Sequence, residues 1–174
     1  YFVHSDAGLE VYAQWGDNLS EDLRHEVTHG YLHAAFPELP LWLDEGLAEY
    51  FEVGPARRGL NEPHRQRLLA GLAAGQWRPD LRRLERLDPG GEMSQDDYAE
   101  SWAWIHFLLN GRGEVRDALR AYLRELRNDP AAAPISARLA AVEPRPEETL
   151  IEHVRRLRRA AGPAVPLRAA AAGE

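Results

Sequence analysis

Cysteine and lysine are both missing from this sequence of 174 residues, and each absence excludes a kind of chemistry. Without cysteine the chain can form no disulfide, no thiol nucleophile and no thiolate-ligated zinc or iron–sulfur centre. All 21 basic residues are arginines, so Schiff-base enzymes that need lysine and P-loop nucleotide hydrolases are excluded. Any metal ion bound here must therefore be held by histidine, aspartate or glutamate.

Long apolar runs are also absent, because no stretch approaches the roughly 20 residues that span a bilayer. The chain is acidic, with 28 acidic residues and a formal net charge of −7, and residues 1–53 carry 11 of those acids but only one arginine, Arg24. An acidic protein repels polyphosphate, so the sequence predicts no nucleic-acid partner. The first residue is Tyr1 and not Met, which indicates a processed or partial chain.

Apolar periodicity predicts a short β segment followed by helices. Leu9–Trp15 alternates apolar and polar residues as a half-buried strand does, with Tyr1–His4 as its predicted partner. Residues 128–134 are predicted to be a linker, and residues 161–174 a tail without fixed structure. The fold class is therefore α+β, mostly helical, with a small N-terminal antiparallel sheet. The helices predicted from their spacing and their Pro and Gly boundaries are Ser20–Ala35, Leu41–Val53, Glu62–Ala74, Leu81–Leu87, Gln95–Asn110, Gly113–Arg127 and Pro146–Ala160.

An HExxH motif lies in the middle of the first predicted helix, formed by His25, Glu26 and His29. Residues four apart stack on one face of a helix, so both imidazoles can reach one metal ion at about 2.0–2.1 Å. Glu26 is turned about 100° from His25 and lies beside the place of a bound water. Zinc lowers the pKa of such a water to about 7, and Glu26 is the predicted general base that takes its proton.

The residues after the motif exclude one subclass of HExxH enzymes. A metzincin would have glycine in place of Leu32 and histidine in place of Ala35. A glutamate on the second predicted helix suits a different arrangement, that of thermolysin, in which such a residue completes a His₂Glu set with an open position for water.

Two glutamates compete for the position of third ligand. Glu45 follows the second histidine after 15 intervening residues and Glu49 after 19, which is the thermolysin spacing. We favour Glu45, because a loop between helices can change in length while the local pattern of small residues depends on packing. Gly46 and Ala48 are predicted to let this second helix approach the active-site helix closely.

Three separated segments resemble the gluzincin metallopeptidases, the clan of thermolysin and aminopeptidase N. They are His25–His29, Trp42–Phe51 and Tyr98–Trp102. The combination is also similar to that of uncharacterised bacterial proteins in the peptidase MA-like superfamily, and the resemblance covers about residues 1–127. It implies a zincin-like fold with an HExxH active-site helix, a C-terminal helical subdomain and one zinc ion.

The resemblance implies roles for two further residues. In aminopeptidase N-like enzymes, a tyrosine that opens a later helix donates to the tetrahedral oxyanion, and Tyr98 resembles that residue. Glu49, one turn after Glu45, matches an acidic residue of thermolysin that accepts the free N–H of a ligating histidine.

These features lead to one functional hypothesis and two alternatives. The hypothesis is a zinc metallopeptidase for peptide or protein substrates, with its domain in residues 1–127 and a linker, one helix and a tail in residues 128–174. One alternative is a catalytically inactive zincin-like fold that serves as a protein-binding module. The other is an arginine-rich helical domain with an accidental motif and no metal. The other histidines, His33 and His64 among them, have no predicted ligand role.

Overall fold

The computed structural model describes the backbone of residues 2–5 and 8–11 and all atoms of residues 18–158. Two four-residue strands come first, β1 (Phe2–Ser5) and β2 (Gly8–Val11), and they pair antiparallel with Phe2 opposite Val11. The helices of the described chain are α1 (Leu19–Ala35), α2 (Leu41–Glu52), α3 (Glu62–Ala73), α4 (Leu81–Leu84), α5 (Gln95–Asn110), α6 (Gly113–Leu126), α7 (Ile135–Val142) and α8 (Pro146–Arg156), with a 3₁₀ turn at Pro55–Arg57.

The predicted α+β fold class is wrong, because the protein has a helical fold. In the described residues the predicted N-terminal antiparallel sheet consists of the hairpin of β1 and β2 alone. Residues 18–158 are 69% helical and contain no strand, so no sheet contributes to their core. One hairpin of two short strands cannot bury an apolar face by itself. The predicted continuation of the second strand to Trp15 and the tail 161–174 lie outside the described residues. The last helix was predicted to end at Ala160, but it ends at Arg156, and Leu157 and Arg158 are not helical.

Local signals set the beginnings of the helices that carry the candidate site. α1 follows Asn18, whose carbonyl accepts the N–H groups of Glu21 and Asp22, and these two acids suit the positive end of the helix dipole. α5 begins at a capping box in which Ser94 Oγ accepts the Asp97 N–H at 3.2 Å and Asp97 Oδ2 accepts the Ser94 N–H at 2.9 Å. The sequence predicted the bounds of α5 and, to within one residue, those of α1 and α2.

α5 forms the centre of the helical core, since all residues from Ala99 to Leu108 are buried. α2, α3, α6 and α8 pack around it. The contact with α2 is close, because a Cβ atom at Gly46 would lie 2.8 Å from the carbonyl oxygen of Ser101. Gly46 therefore allows α2 to approach α5 closely. The sequence analysis had instead predicted a close approach to the active-site helix.

α1 packs against α2 with its polar side. Leu23, Val27 and Tyr31, whose spacing predicts this helix, remain exposed, and Tyr31 is 74% accessible to solvent. His29 and Gly30 are buried instead. The histidines of the HExxH motif consequently lie between the two helices.

The C-terminal region contains α7, a helix of eight residues that the sequence analysis missed. The predicted linker ends immediately before it, and a helix this short has little periodicity to detect. Ile135 and Leu139 of α7 and Leu150 and Val154 of α8 are fully buried in the same apolar cluster as α5. Residues 135–154 thus help to close the core. None of the described helices is long and apolar enough to cross a membrane.

A buried histidine of α5, His106, and a half-buried histidine of α8, His153, contact each other and predict an acid-sensitive fold. His106 Nδ1 lies 2.8 Å from His153 Nε2. Burial lowers the pKa of both side chains to about 4, helped at His106 by the charge of His153 and at His153 by that of Arg156. Because the folded state favours neutral rings, their contribution to stability is complete above pH 6.5 and is lost as the pH falls towards 4.

We expect His153→Gln, which does not titrate in this range, to make thermal unfolding less dependent on pH. Between pH 7.5 and 5 the midpoint of the wild type should fall by a few degrees more than that of the variant. Scanning calorimetry in one buffer series measures this difference. Parallel pH dependence of the two proteins would contradict the assignment.

Candidate metal centre

The three predicted metal ligands meet where α1 contacts α2. His25 and His29 lie on successive turns of α1, with ring centroids 4.8 Å apart and ring planes at 70°. Glu45 of α2 places its Oε2 atom 3.6 Å from the Nε2 atom of each histidine. One carboxylate oxygen thus faces the same nitrogen of both imidazoles.

The spacing of these atoms suits a small tetrahedral cation. Two ligands that bind zinc at about 2.0–2.1 Å lie about 3.3–3.4 Å apart in tetrahedral geometry. The two nitrogen–oxygen distances of 3.6 Å are close to that value, and ligand atoms of all three residues lie within 4.8 Å of one another. Two imidazoles and one carboxylate are also a set that catalytic zinc sites use. The residues therefore fit zinc in both spacing and chemistry.

A carboxylate holds the other nitrogen of each imidazole. His25 Nδ1 lies 3.0 Å from Glu52 Oε2, and His29 Nδ1 lies 2.9 Å from Asp44 Oδ1. A carboxylate accepts, so Nδ1 is the donor in both pairs. This arrangement fixes the tautomer and the ring orientation that leave Nε2 for a metal.

The charges around α1 and α2 prepare the centre for a cation. Burial alone would lower the pKa of His25, but hydrogen bonds with Glu45 and Glu52 outweigh it and raise the pKa to about 10. Burial would raise the pKa of Asp44, yet its hydrogen bonds with His29 and His33 lower it. A cation that binds His25 must replace this proton, and the carboxylates then neutralise its charge.

Glu49 faces α3. Its Oε2 atom lies 2.7 Å from His64 Nε2 and accepts a hydrogen bond from Asn61 Nδ2 at 3.2 Å. Burial would raise the pKa of Glu49, but the hydrogen bond and the charge of His64 lower it. Glu49 is thus hydrogen-bonded to α3, whereas Glu45 lies 3.6 Å from both Nε2 atoms, so the geometry favours Glu45 as third ligand.

Glu52 and Asp44, rather than Glu49, make the contacts with His25 and His29 that were predicted for Glu49. Glu52 follows Glu45 by seven residues, or two helical turns, and so lies on the same side of α2. Asp44 directly precedes Glu45, and its second oxygen lies 2.7 Å from His33 Nε2. The seven-residue spacing was visible in the sequence, whereas the side to which Asp44 turns depends on how α1 docks.

An open cavity of about 430 Å³ borders the centre. Glu26, the predicted general base, lines it together with His25, and both side chains are half-buried. His64, which had no predicted role, lies in the first turn of α3 and lines the same cavity, as does Asn61. The cavity therefore offers a place for a substrate next to the predicted base.

Tyr98, the predicted donor to the oxyanion, lies in the first turn of α5, where it is half-buried. Burial and the negative charges of Glu45 and Glu49 raise the pKa of its hydroxyl group. The hydroxyl group stays protonated at neutral pH and can act as a donor.

Comparison with known proteins gives a family but no described activity. The profile of a family described as protein of unknown function (DUF1570) matches residues 21–132, well over half of the chain. The chain belongs to the DUF1570 family. The matched range contains every residue of the candidate centre. No curated protein and no solved structure matches the chain.

We expect the protein to bind one zinc ion and to gain thermal stability from it. At a free zinc concentration 100-fold above Kd, the unfolding midpoint should rise by roughly 5–10 °C. Glu45→Gln should abolish most of the affinity, and Glu52→Gln and Asp44→Asn should each weaken it by roughly 10–100-fold. Glu49→Gln should weaken it less, because Glu49 contacts His64 and Asn61. Metal analysis and competition with a chelator measure these affinities, and a larger loss in Glu49→Gln than in Glu45→Gln would make Glu49 the ligand.

Proposed function

We propose that this protein is a zinc metallopeptidase of the gluzincin type, which hydrolyses peptide bonds of peptide or protein substrates. The observation that carries the proposal is the convergence of His25 Nε2, His29 Nε2 and one oxygen of Glu45 at 3.6 Å, next to a cavity lined by Glu26. His25, His29 and Glu45 hold one zinc ion. When bound, zinc lowers the pKa of a water molecule and polarises the carbonyl group to be attacked.

The residues around this position divide the remaining work of hydrolysis. Glu26 takes the proton of the attacking water and passes it to the departing amine. Tyr98 donates its O–H group to the carbonyl oxygen as negative charge develops there. Glu52 and Asp44 keep the imidazoles in place throughout, because their hydrogen bonds to Nδ1 do not involve the substrate.

The cavity has room for part of a substrate beside Glu26. Its volume of about 430 Å³ lies within the usual range for ligand pockets, and it opens to solvent at the contact of α1, α2 and α3. We infer that it receives part of the peptide that is cleaved.

Glu26→Gln is expected to keep zinc and lose turnover. The amide has nearly the shape of the carboxylate but cannot take a proton, and a general base contributes about 10²–10⁴-fold to the rate. Turnover is measured on a fluorogenic peptide library, beside zinc content from metal analysis. Glu114→Gln is the matched control, because Glu114 is an exposed glutamate in the first turn of α6. This variant should behave like the wild type.

The same assay separates the proposal from its alternatives. Cleavage at the wild-type rate by Glu26→Gln would remove Glu26 from the mechanism. A wild type that binds zinc but cleaves no peptide would favour a binding module, and a wild type that binds no zinc would exclude both zinc-dependent functions.

Tyr98→Phe should lower kcat and kcat/KM by a similar factor of about 10²–10³, with KM little changed. Removal of the hydroxyl group alone separates hydrogen-bond donation from the packing of the ring. Tyr31→Phe, at the exposed tyrosine of α1, controls for the loss of a phenol elsewhere. Steady-state kinetics on the best library peptide provide the measurement. Full activity of Tyr98→Phe would leave zinc as the only electrophile.

A further inference from the structure

Asn61 connects the carboxylates of Glu49 and Glu52, two residues of α2 that line the cavity. Its side chain lies at the N-terminus of α3, and the residue is 5% exposed. Asn61 Nδ2 donates to Glu52 Oε1 at 2.8 Å and to Glu49 Oε2 at 3.2 Å. Asn61 Oδ1 accepts the backbone N–H of His64 at 3.4 Å. These partners determine the orientation of the amide, because the reverse orientation would direct an oxygen at two carboxylates.

Glu49 and Glu52 require a donor of this kind. Ligand oxygens of both residues lie within 4.8 Å of each other and of a His25 nitrogen. Like charges at such a distance repel each other, and partial burial strengthens the repulsion. An NH₂ group that donates to both carboxylates offsets this repulsion and keeps them side by side.

The position of Glu52 matters because its other oxygen contacts a predicted zinc ligand. The path runs from Asn61 Nδ2 to Glu52 Oε1 over 2.8 Å, and from Glu52 Oε2 to His25 Nδ1 over 3.0 Å. If Glu52 turned away to escape Glu49, the His25 imidazole would lose the acceptor that orients it. The first turn of α3 is thereby connected to the metal centre although it supplies no ligand.

We propose that Asn61 is a positioning residue of the metal centre, which fixes the His25 imidazole for metal binding by holding Glu52 beside it. The inference rests on the proposed function in that the bound metal is zinc. The capping of α3 is a separate role of the same side chain, performed by Oδ1 rather than by Nδ2.

Asn61→Ser separates the two roles. Serine is as good an N-cap as asparagine, but its short side chain lacks the two amide hydrogens that reach the carboxylates. Zinc affinity, measured by competition with a chelator, is expected to fall roughly 10-fold. Ser94→Ala is the matched control, because it removes a helix cap at α5. It should lower the zinc-free unfolding midpoint by a few degrees and leave zinc affinity unchanged.

A double-mutant cycle tests whether Asn61 acts through Glu52. Glu52→Gln alone should weaken zinc binding, and addition of Asn61→Ser should weaken it further by less than about 2-fold, because both changes break the same path. Without zinc, the imidazole ¹⁵N resonances of His25 should shift in Asn61→Ser and in Glu52→Gln but not in Ser94→Ala. If Asn61→Ser does not fold, Asn61→Thr replaces it, since threonine is also an N-cap residue, adds no charge and lacks the amide NH₂ group.

The outcomes distinguish this inference from the proposed function. A wild type that binds no zinc overturns both. Wild-type zinc affinity in a folded Asn61→Ser protein, or losses that multiply in the double variant, overturns only the role of Asn61. A 10-fold loss that disappears in the Glu52→Gln background supports it.

Discussion

The polar contact between α1 and α2 is the constraint on which the candidate site depends. Imidazoles and carboxylates that are removed from water destabilise a fold unless each finds a partner. Here α2 supplies Asp44 to His29 and His33, and Glu52 to His25. The hydrogen bonds that make this helix contact tolerable also orient the histidines. Stability and a potential metal site consequently share the same interactions.

α2 presents these carboxylates to α1 because its other side packs against α5. Gly46 lets the backbones of α2 and α5 approach, so the acidic side of α2 is directed away from the core. α5 is held in turn by Glu100, which is 1% exposed. Glu100 accepts hydrogen bonds from Trp77 Nε1 at 3.1 Å and Arg83 Nη2 at 3.0 Å. A rigid helical support of this kind limits the movement of side chains that must stay within tenths of an ångström of a metal position.

The helical part of the fold was largely predictable, whereas the fold class was not. Periodicity and boundary residues determine helices one at a time, so Ser94 and Gly111 set the ends of α5 correctly. A sheet depends on pairing and burial beyond the local pattern. The alternating residues near Leu9 therefore suggested an α+β domain that the helical core of residues 18–158 does not support. For the same reason the apolar spacing of Leu23, Val27 and Tyr31 identified α1 but not the side that it buries.

The sequence by itself determined the chemistry available to this protein. It has no cysteine, it has no lysine, and it places His25 and His29 one helical turn apart with Glu26 between them. Only the tertiary structure decided which carboxylates serve these histidines. Helical spacing places Glu45, Glu49 and Glu52 on one side of α2. The packing of α1 and α3 against that side gives each glutamate a different partner. Glu45 faces the Nε2 atoms of His25 and His29, Glu49 contacts His64, and Glu52 contacts His25 Nδ1. Side chains on separate helices meet through packing, which no local pattern records.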